Sequence, residues 1–66
     1  MIGRQGTVTI AIDGGPAAGE VSVQVRGVFE LFIAYADGPL GVGQTILVYN
    51  SRGARDVDVI IDPTFE

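Results

Sequence analysis

The chain has 66 residues, four Arg and no Lys, eight Asp or Glu, and no His, Cys or Trp, for a formal net charge of −4. That inventory excludes thiolate and imidazole chemistry, disulfide staples, Schiff bases, the P-loop lysine and lipoyl or biotinyl attachment, and leaves carboxylates, hydroxyls and backbone for any catalysis. Apolar residues make up 47% and charged residues 18%, so the chain is globular rather than disordered. Its longest apolar run, residues 31–36, falls far short of the roughly 20 residues that cross a bilayer as a helix, and the N-terminus lacks a basic-then-apolar leader.

The hydrophobic period is two almost throughout, the mark of half-buried strands. Val8, Ile10 and Ile12 alternate with Thr7, Thr9 and Ala11 in a first strand, which Asp13-Gly14-Gly15-Pro16 ends. Residues 20–26 form a second strand, with Val21, Val23 and Val25 on one side and Ser22, Gln24 and Arg26 on the other; Gly27 marks a sharp turn. Residues 28–36 are β-branched and aromatic, apolar on both faces except at Glu30, and read as a strand buried on both sides or bending across a barrel. Asp37-Gly38-Pro39 breaks that run, and Gly41 and Gly43 keep the next stretch irregular. Residues 45–49 form a fourth strand, followed by a turn at Asn50-Ser51-Arg52-Gly53. Residues 56–62 form a fifth, with Val57, Val59 and Ile61 opposite Asp56, Asp58 and Asp62, and Pro63 ends it. No segment reads as a helix, since residues 37–44 hold three Gly and a Pro.

Five short strands with tight turns favour closure, which removes exposed edges, and ten Gly suit the bends a small barrel needs. The expected fold is all-β: one domain over residues 1–66, a small five-stranded antiparallel barrel of the OB type without a helix, with an SH3-like barrel as the alternative.

Candidate chemistry is sparse. Alternation puts Asp56, Asp58 and Asp62 on one strand face, about 7 Å between i and i+2 positions, where a hard cation could bridge two carboxylates. No calcium-loop spacing accompanies them, and a solvated face that deters edge-to-edge pairing is the simpler reading. Glu20 and Glu30 are the one carboxylate pair conceivable for glycoside hydrolysis, without room for a cleft. The segments Gly14-Gly15 and Gly41-Val42-Gly43 lack the lysine and helix of a phosphate cradle and read as turns. No catalytic, cofactor-binding or metal-binding residue is expected, and no cofactor or small-molecule substrate.

Single-stranded nucleic acid is a rival ligand, as is an oligosaccharide, because Phe29, Phe32, Tyr35 and Tyr49 lie on strands where bases could stack. Against it, the domain is acidic and its arginines are scattered at 4, 26, 52 and 55, with only Arg52 and Arg55 flanking one turn. A protein-interaction role fits better. Mean hydropathy is +0.39, and a thin barrel cannot bury all of Phe29, Leu31, Ile33 and Tyr35, which makes those four the expected partner surface.

The order of these pieces resembles a known family. Gly3-Arg4-Gln5-Gly6-Thr7-Val8 opens the chain, and Gly19-Glu20-Val21-Ser22-Val23 follows. Next come Gly27 and an aromatic-rich strand ending in Ala34-Tyr35-Ala36-Asp37. Pro39-Leu40-Gly41-Val42-Gly43-Gln44-Thr45-Ile46-Leu47-Val48 leads to the last Val-rich strand. Over about residues 3–62 this is similar to the C-terminal soluble domain of bacterial NfeD-like membrane proteins. The resemblance implies a helix-poor OB-fold domain excised from a longer protein whose transmembrane helices precede it, at the cell membrane and facing the cytoplasm. It also implies pairing with flotillin- or stomatin-type scaffolds and no catalytic residues of its own. Self-association is left open.

Overall fold

In a computed structural model, which describes residues 3–62, five strands follow one another without a helix: β1 (Gln5–Ile10), β2 (Gly19–Val25), β3 (Val28–Tyr35), β4 (Thr45–Ser51) and β5 (Asp56–Ile61). They close into a barrel in the order β1-β2-β3-β5-β4, with β4 returning to β1. Four of the pairings are antiparallel and the short β3–β5 pairing is parallel. That order belongs to the five-stranded Greek-key OB barrel, so the SH3-like alternative falls away. Pro63, expected to end the last strand, lies outside the described residues.

Period-two patterning supplies the interior. Val8, Val21, Val23, Phe32, Ala34, Ile46, Val48, Val57 and Val59 point into the barrel and are buried. Ile12 and Leu40 bridge the β1–β2 and β3–β4 connections with paired backbone bonds of 2.9 and 2.8 Å, and their side chains plug that end of the barrel. Glycine geometry shapes the β2–β3 turn and the crossing above β2. Arg26 (φ 54°) and Gly27 (φ 81°) form the two-residue connection between the paired Val25 and Val28, both in the left-handed region, as a type I′ hairpin demands. At Gly19 a Cβ would collide with the carbonyl oxygens of Ile10 and Ala11, because the β1–β2 connection passes directly over it.

The structure departs from strict alternation at two bulges. In β1 the register shifts between Val8 and Ile10, so Ile10 turns outward and is 56% exposed, although alternation from Val8 would bury it. In β4 a shift between Val48 and Asn50 lets the strand continue through Ser51, two residues beyond the expected Tyr49. The third strand is not buried on both sides: Phe32 and Ala34 point inward while Phe29, Leu31 and Ile33 are exposed, because no second layer packs against this thin barrel. Nor is the aspartate face of β5 uniformly solvated. Asp58 and Asp62 are buried, Asp56 is half-buried, and Ile61, paired with Ile46 at the barrel's rim, is exposed.

Candidate interaction face

β3 carries a row of apolar side chains on the outside of the barrel. Phe29, Leu31 and Ile33 alternate with the core residues and remain 70%, 52% and 46% exposed. Their cross-strand neighbours on β2 are Gln24, Ser22 and Glu20, so a polar row borders the stripe on that side, and on the β5 side Ile33 alone has a strand neighbour, Asp56. A shallow groove of about 200 Å³ runs from Phe29 across Ser22 and Gln24 to Thr7 on β1.

Tyr35, the fourth residue of the expected surface, stands apart from the other three. It is half-buried, and the Arg52 guanidinium stacks over its ring at 4.0 Å from the centroid. Arg52 also donates through Nε to Asp58 Oδ1 at 2.8 Å, and Asn50 Nδ2 donates to Asp58 Oδ2 at 2.9 Å. β3–β5 pairing places Tyr35 beside Asp58. The cluster thus ties the β4–β5 turn to the end of β3, and Asp58, shielded by Arg52 and Tyr35, spends both oxygens on these bonds.

The remaining candidates do not converge. Asp62 accepts a hydrogen bond from Gln5 Nε2, far from the partners of Asp58, and among the described residues no group of three acidic side chains could hold a metal ion. Glu20 lies on the outer face opposite Ile33 and accepts a bond from Thr9 Oγ1 at 2.8 Å. Glu30 follows the inward phase opposite Val23 and pairs with Arg55 Nη1 at 3.1 Å, so the two glutamates point to opposite sides of the sheet. Of the aromatics proposed for stacking, Phe32 is core and Tyr35 is covered by Arg52; Phe29 and Tyr49 are exposed. Arg52 and Arg55, the expected local positive patch, are each bound to a carboxylate.

Folding nevertheless organises the charges in a way their spacing along the chain obscures. Successive strands reverse direction, so the starts of β1, β3 and β5 share one end of the barrel with the finishes of β2 and β4. All four arginines flank strands there: Arg4 just before β1, Arg26 just after β2, Arg52 just after β4 and Arg55 just before β5. Asp13, Glu20, Asp37 and Asp62 mark the opposite end, while Glu30, Asp56 and Asp58 lie on the arginine side, two of them paired with Arg55 and Arg52. That acidic end also holds an apolar cleft of about 320 Å³ between residues 36–40 and β5, lined by Pro39, Leu40, Val59, Ile60 and Ile61, with Asp37 its single ionisable side chain. Counting turns would have exposed this segregation from the sequence, since the arginines occupy every second connection.

Comparison with known proteins places the architecture. The model of the NfeD C-terminal domain family matches residues 5–60. The solution structure of the soluble domain of the NfeD protein YuaF from Bacillus subtilis superposes with a TM-score of 0.77 at 24% sequence identity, covering 89% of this chain and 70% of that one. No curated protein sequence matches the chain.

Proposed function

Since the chain belongs to the family of NfeD C-terminal domains, we propose that it is a non-catalytic docking module of a bacterial membrane protein, one that engages a flotillin- or stomatin-type scaffold on the cytoplasmic side. The observation that supports docking is the outward row Phe29, Leu31 and Ile33: three large apolar side chains in sequence on one strand, each about half exposed or more, with nothing over them among the described residues. Exposed apolar rows bordered by polar ones are characteristic of surfaces that meet another protein. The non-catalytic reading is supported by the bonding of the carboxylates: Asp58 spends both oxygens and Glu20 and Glu30 one each on structural bonds, and the two glutamates point to opposite sides of the sheet.

The test is capture. The tagged domain serves as bait in detergent-solubilised membranes of the source cell, with mass spectrometry as readout. Enrichment of a flotillin- or stomatin-type protein, lost with Phe29→Ser and with Leu31→Ser while both variants keep the native circular dichroism spectrum, is the expected result. Enrichment of RNA-associated proteins instead, or equal capture by both variants, overturns the assignment.

A further inference from the structure

Over its first five residues, 28–32, β3 is paired along one edge only. Toward β2 it pairs over the whole of Val28–Tyr35; toward β5 pairing begins at Ile33 opposite Asp56. In a two-residue hairpin the residues flanking the turn, here Val25 and Val28, exchange backbone bonds, and the next residue on each strand turns its N–H and C=O outward. Ile33 shows the phase directly: its N–H donates to the Arg55 carbonyl at 2.8 Å, on the β5 side. By the same phase, Phe29 N–H, Phe29 C=O and Leu31 N–H face the open edge, where no described strand pairs with them. The Leu31 carbonyl alone has a contact there, Arg55 Nη1 at 3.5 Å. The side chains along this edge, Val28, Phe29 and Leu31, are 59%, 70% and 52% exposed.

An open edge with unused donors and acceptors and apolar flanks is a template for one more strand. We propose that an extended segment of a partner protein, alternating apolar and acidic residues, adds to the barrel along Val28–Leu31. Charge selects the occupant. Arg4 and Arg26 stand at this end of the barrel, and neither is among the two ion pairs of the described residues; Arg26 sits in the β2–β3 turn beside the start of the open edge, while Arg4 Nη1 donates to the Gln24 carbonyl, which faces away from β3. A basic segment is repelled by these arginines, and a second copy would bring its own pair against them. Backbone bonds to Phe29 and Leu31 supply affinity, the Phe29 and Leu31 side chains receive alternate apolar residues, and a carboxylate reaches Arg26, with Arg4 adding longer-range attraction. This deepens the docking reading above, on which it rests for the partner being a protein.

The experiment is amide hydrogen exchange by NMR on the isotopically labelled domain, alone and with a synthetic heptapeptide alternating Glu and Val. In the free domain, the Phe29 and Leu31 amides exchange rapidly while those of Glu30 and Phe32, bonded to β2, are protected. Adding the acidic peptide slows exchange at Phe29 and Leu31 at least tenfold; a peptide alternating Lys and Val does not. Arg26→Glu weakens the acidic peptide at least fivefold, and Leu31→Pro, which removes an N–H that no β2 residue accepts, abolishes it. Protection of both amides in the free domain overturns the open edge, and protection that rises with protein concentration alone overturns the occupant. Peptide shifts confined to other strands overturn the site. A membrane scaffold captured equally by wild type and Leu31→Pro refutes the edge and leaves the docking reading intact. Capture of nothing refutes the docking reading, while the peptide titration still decides the edge.

Discussion

Two phenylalanines three residues apart on β3 offer a stringent check on which side of the barrel is which. Phe29 is 70% exposed and Phe32 is 6% exposed. A phenylalanine carries roughly 200 Å² of surface, so Phe29→Ser returns about 60 Å² to water and costs at most about 1.5 kcal/mol at ~25 cal/mol per Å². The same arithmetic for Phe32→Ser gives roughly 5 kcal/mol, in line with the ~3–5 kcal/mol of phenylalanine deletions in cores, with burial of a hydroxyl in addition. For a 66-residue chain the total stability is of order 3–10 kcal/mol, at ~0.05–0.15 kcal/mol per residue. Phe29→Ser therefore stays folded and Phe32→Ser loses most or all of its stability. Urea titration followed by far-ultraviolet circular dichroism measures both. With a slope near ~1 kcal/mol per M, the Phe29→Ser midpoint falls by no more than about 1.5 M. Equal midpoints for the two variants, or an unfolded Phe29→Ser, refute the inward and outward assignment of β3 and with it the docking face.

Three further substitutions probe features that hold this surface in place. Gly19→Ala sets a Cβ 2.6 Å from the Ala11 carbonyl oxygen, so the connection above it must shift, and thermal denaturation should report a loss of about 1–3 kcal/mol. Arg26→Gly relieves a left-handed residue in the β2–β3 turn, and a gain of about 1 kcal/mol is expected in the same assay; a loss would mean that the Arg26 side chain contributes to stability. Asp58→Ala removes the shared acceptor of Arg52 and Asn50, costing roughly 1.5–3 kcal/mol. Its proximal effect is readable by NMR as movement of the Tyr35 ring resonances when Arg52 loses its anchor, and unchanged Tyr35 resonances would show that stacking alone holds the guanidinium.

Strand identity was legible because β2, β4 and β5 each carry inward valines or isoleucines at period two, because β3 alternates Phe32 and Ala34 with its outer residues, and because Gly and Pro crowd the connections. What alternation could not reveal was its own interruptions. A single extra residue at the bulge beside Val8 reverses the side on which Ile10 emerges, and nothing in Thr9-Ile10 announces it. The third strand misleads for a different reason. Its outer residues are as apolar as its inner ones, so composition suggests burial on both sides, and only the thinness of a one-layer barrel leaves Phe29, Leu31 and Ile33 in water. Asp58 reads as a solvated charge because its cover is nonlocal: Arg52 comes from the preceding turn and Tyr35 from a strand more than twenty residues earlier, brought alongside by the parallel β3–β5 pairing.

The segregation of charge ties these local features to the docking proposal. Neutralisation of Arg52 by Asp58 and of Arg55 by Glu30 leaves Arg4 and Arg26 against the single carboxylate of Asp56 at the basic end, the end where β3 lacks its second neighbour. A domain of net charge −4 repels an acidic partner at long range, so attraction must come from this end alone and within a Debye length of about 8–10 Å. Binding of the acidic heptapeptide should accordingly weaken with salt, but by only about one to two counterions' worth of slope, as two arginines allow. Arg4→Gln together with Arg26→Gln should flatten that slope while leaving the residual affinity of the backbone and apolar contacts. A steep slope that survives in the double variant would place the electrostatic contact elsewhere and remove the reason for choosing an acidic occupant over a neutral one.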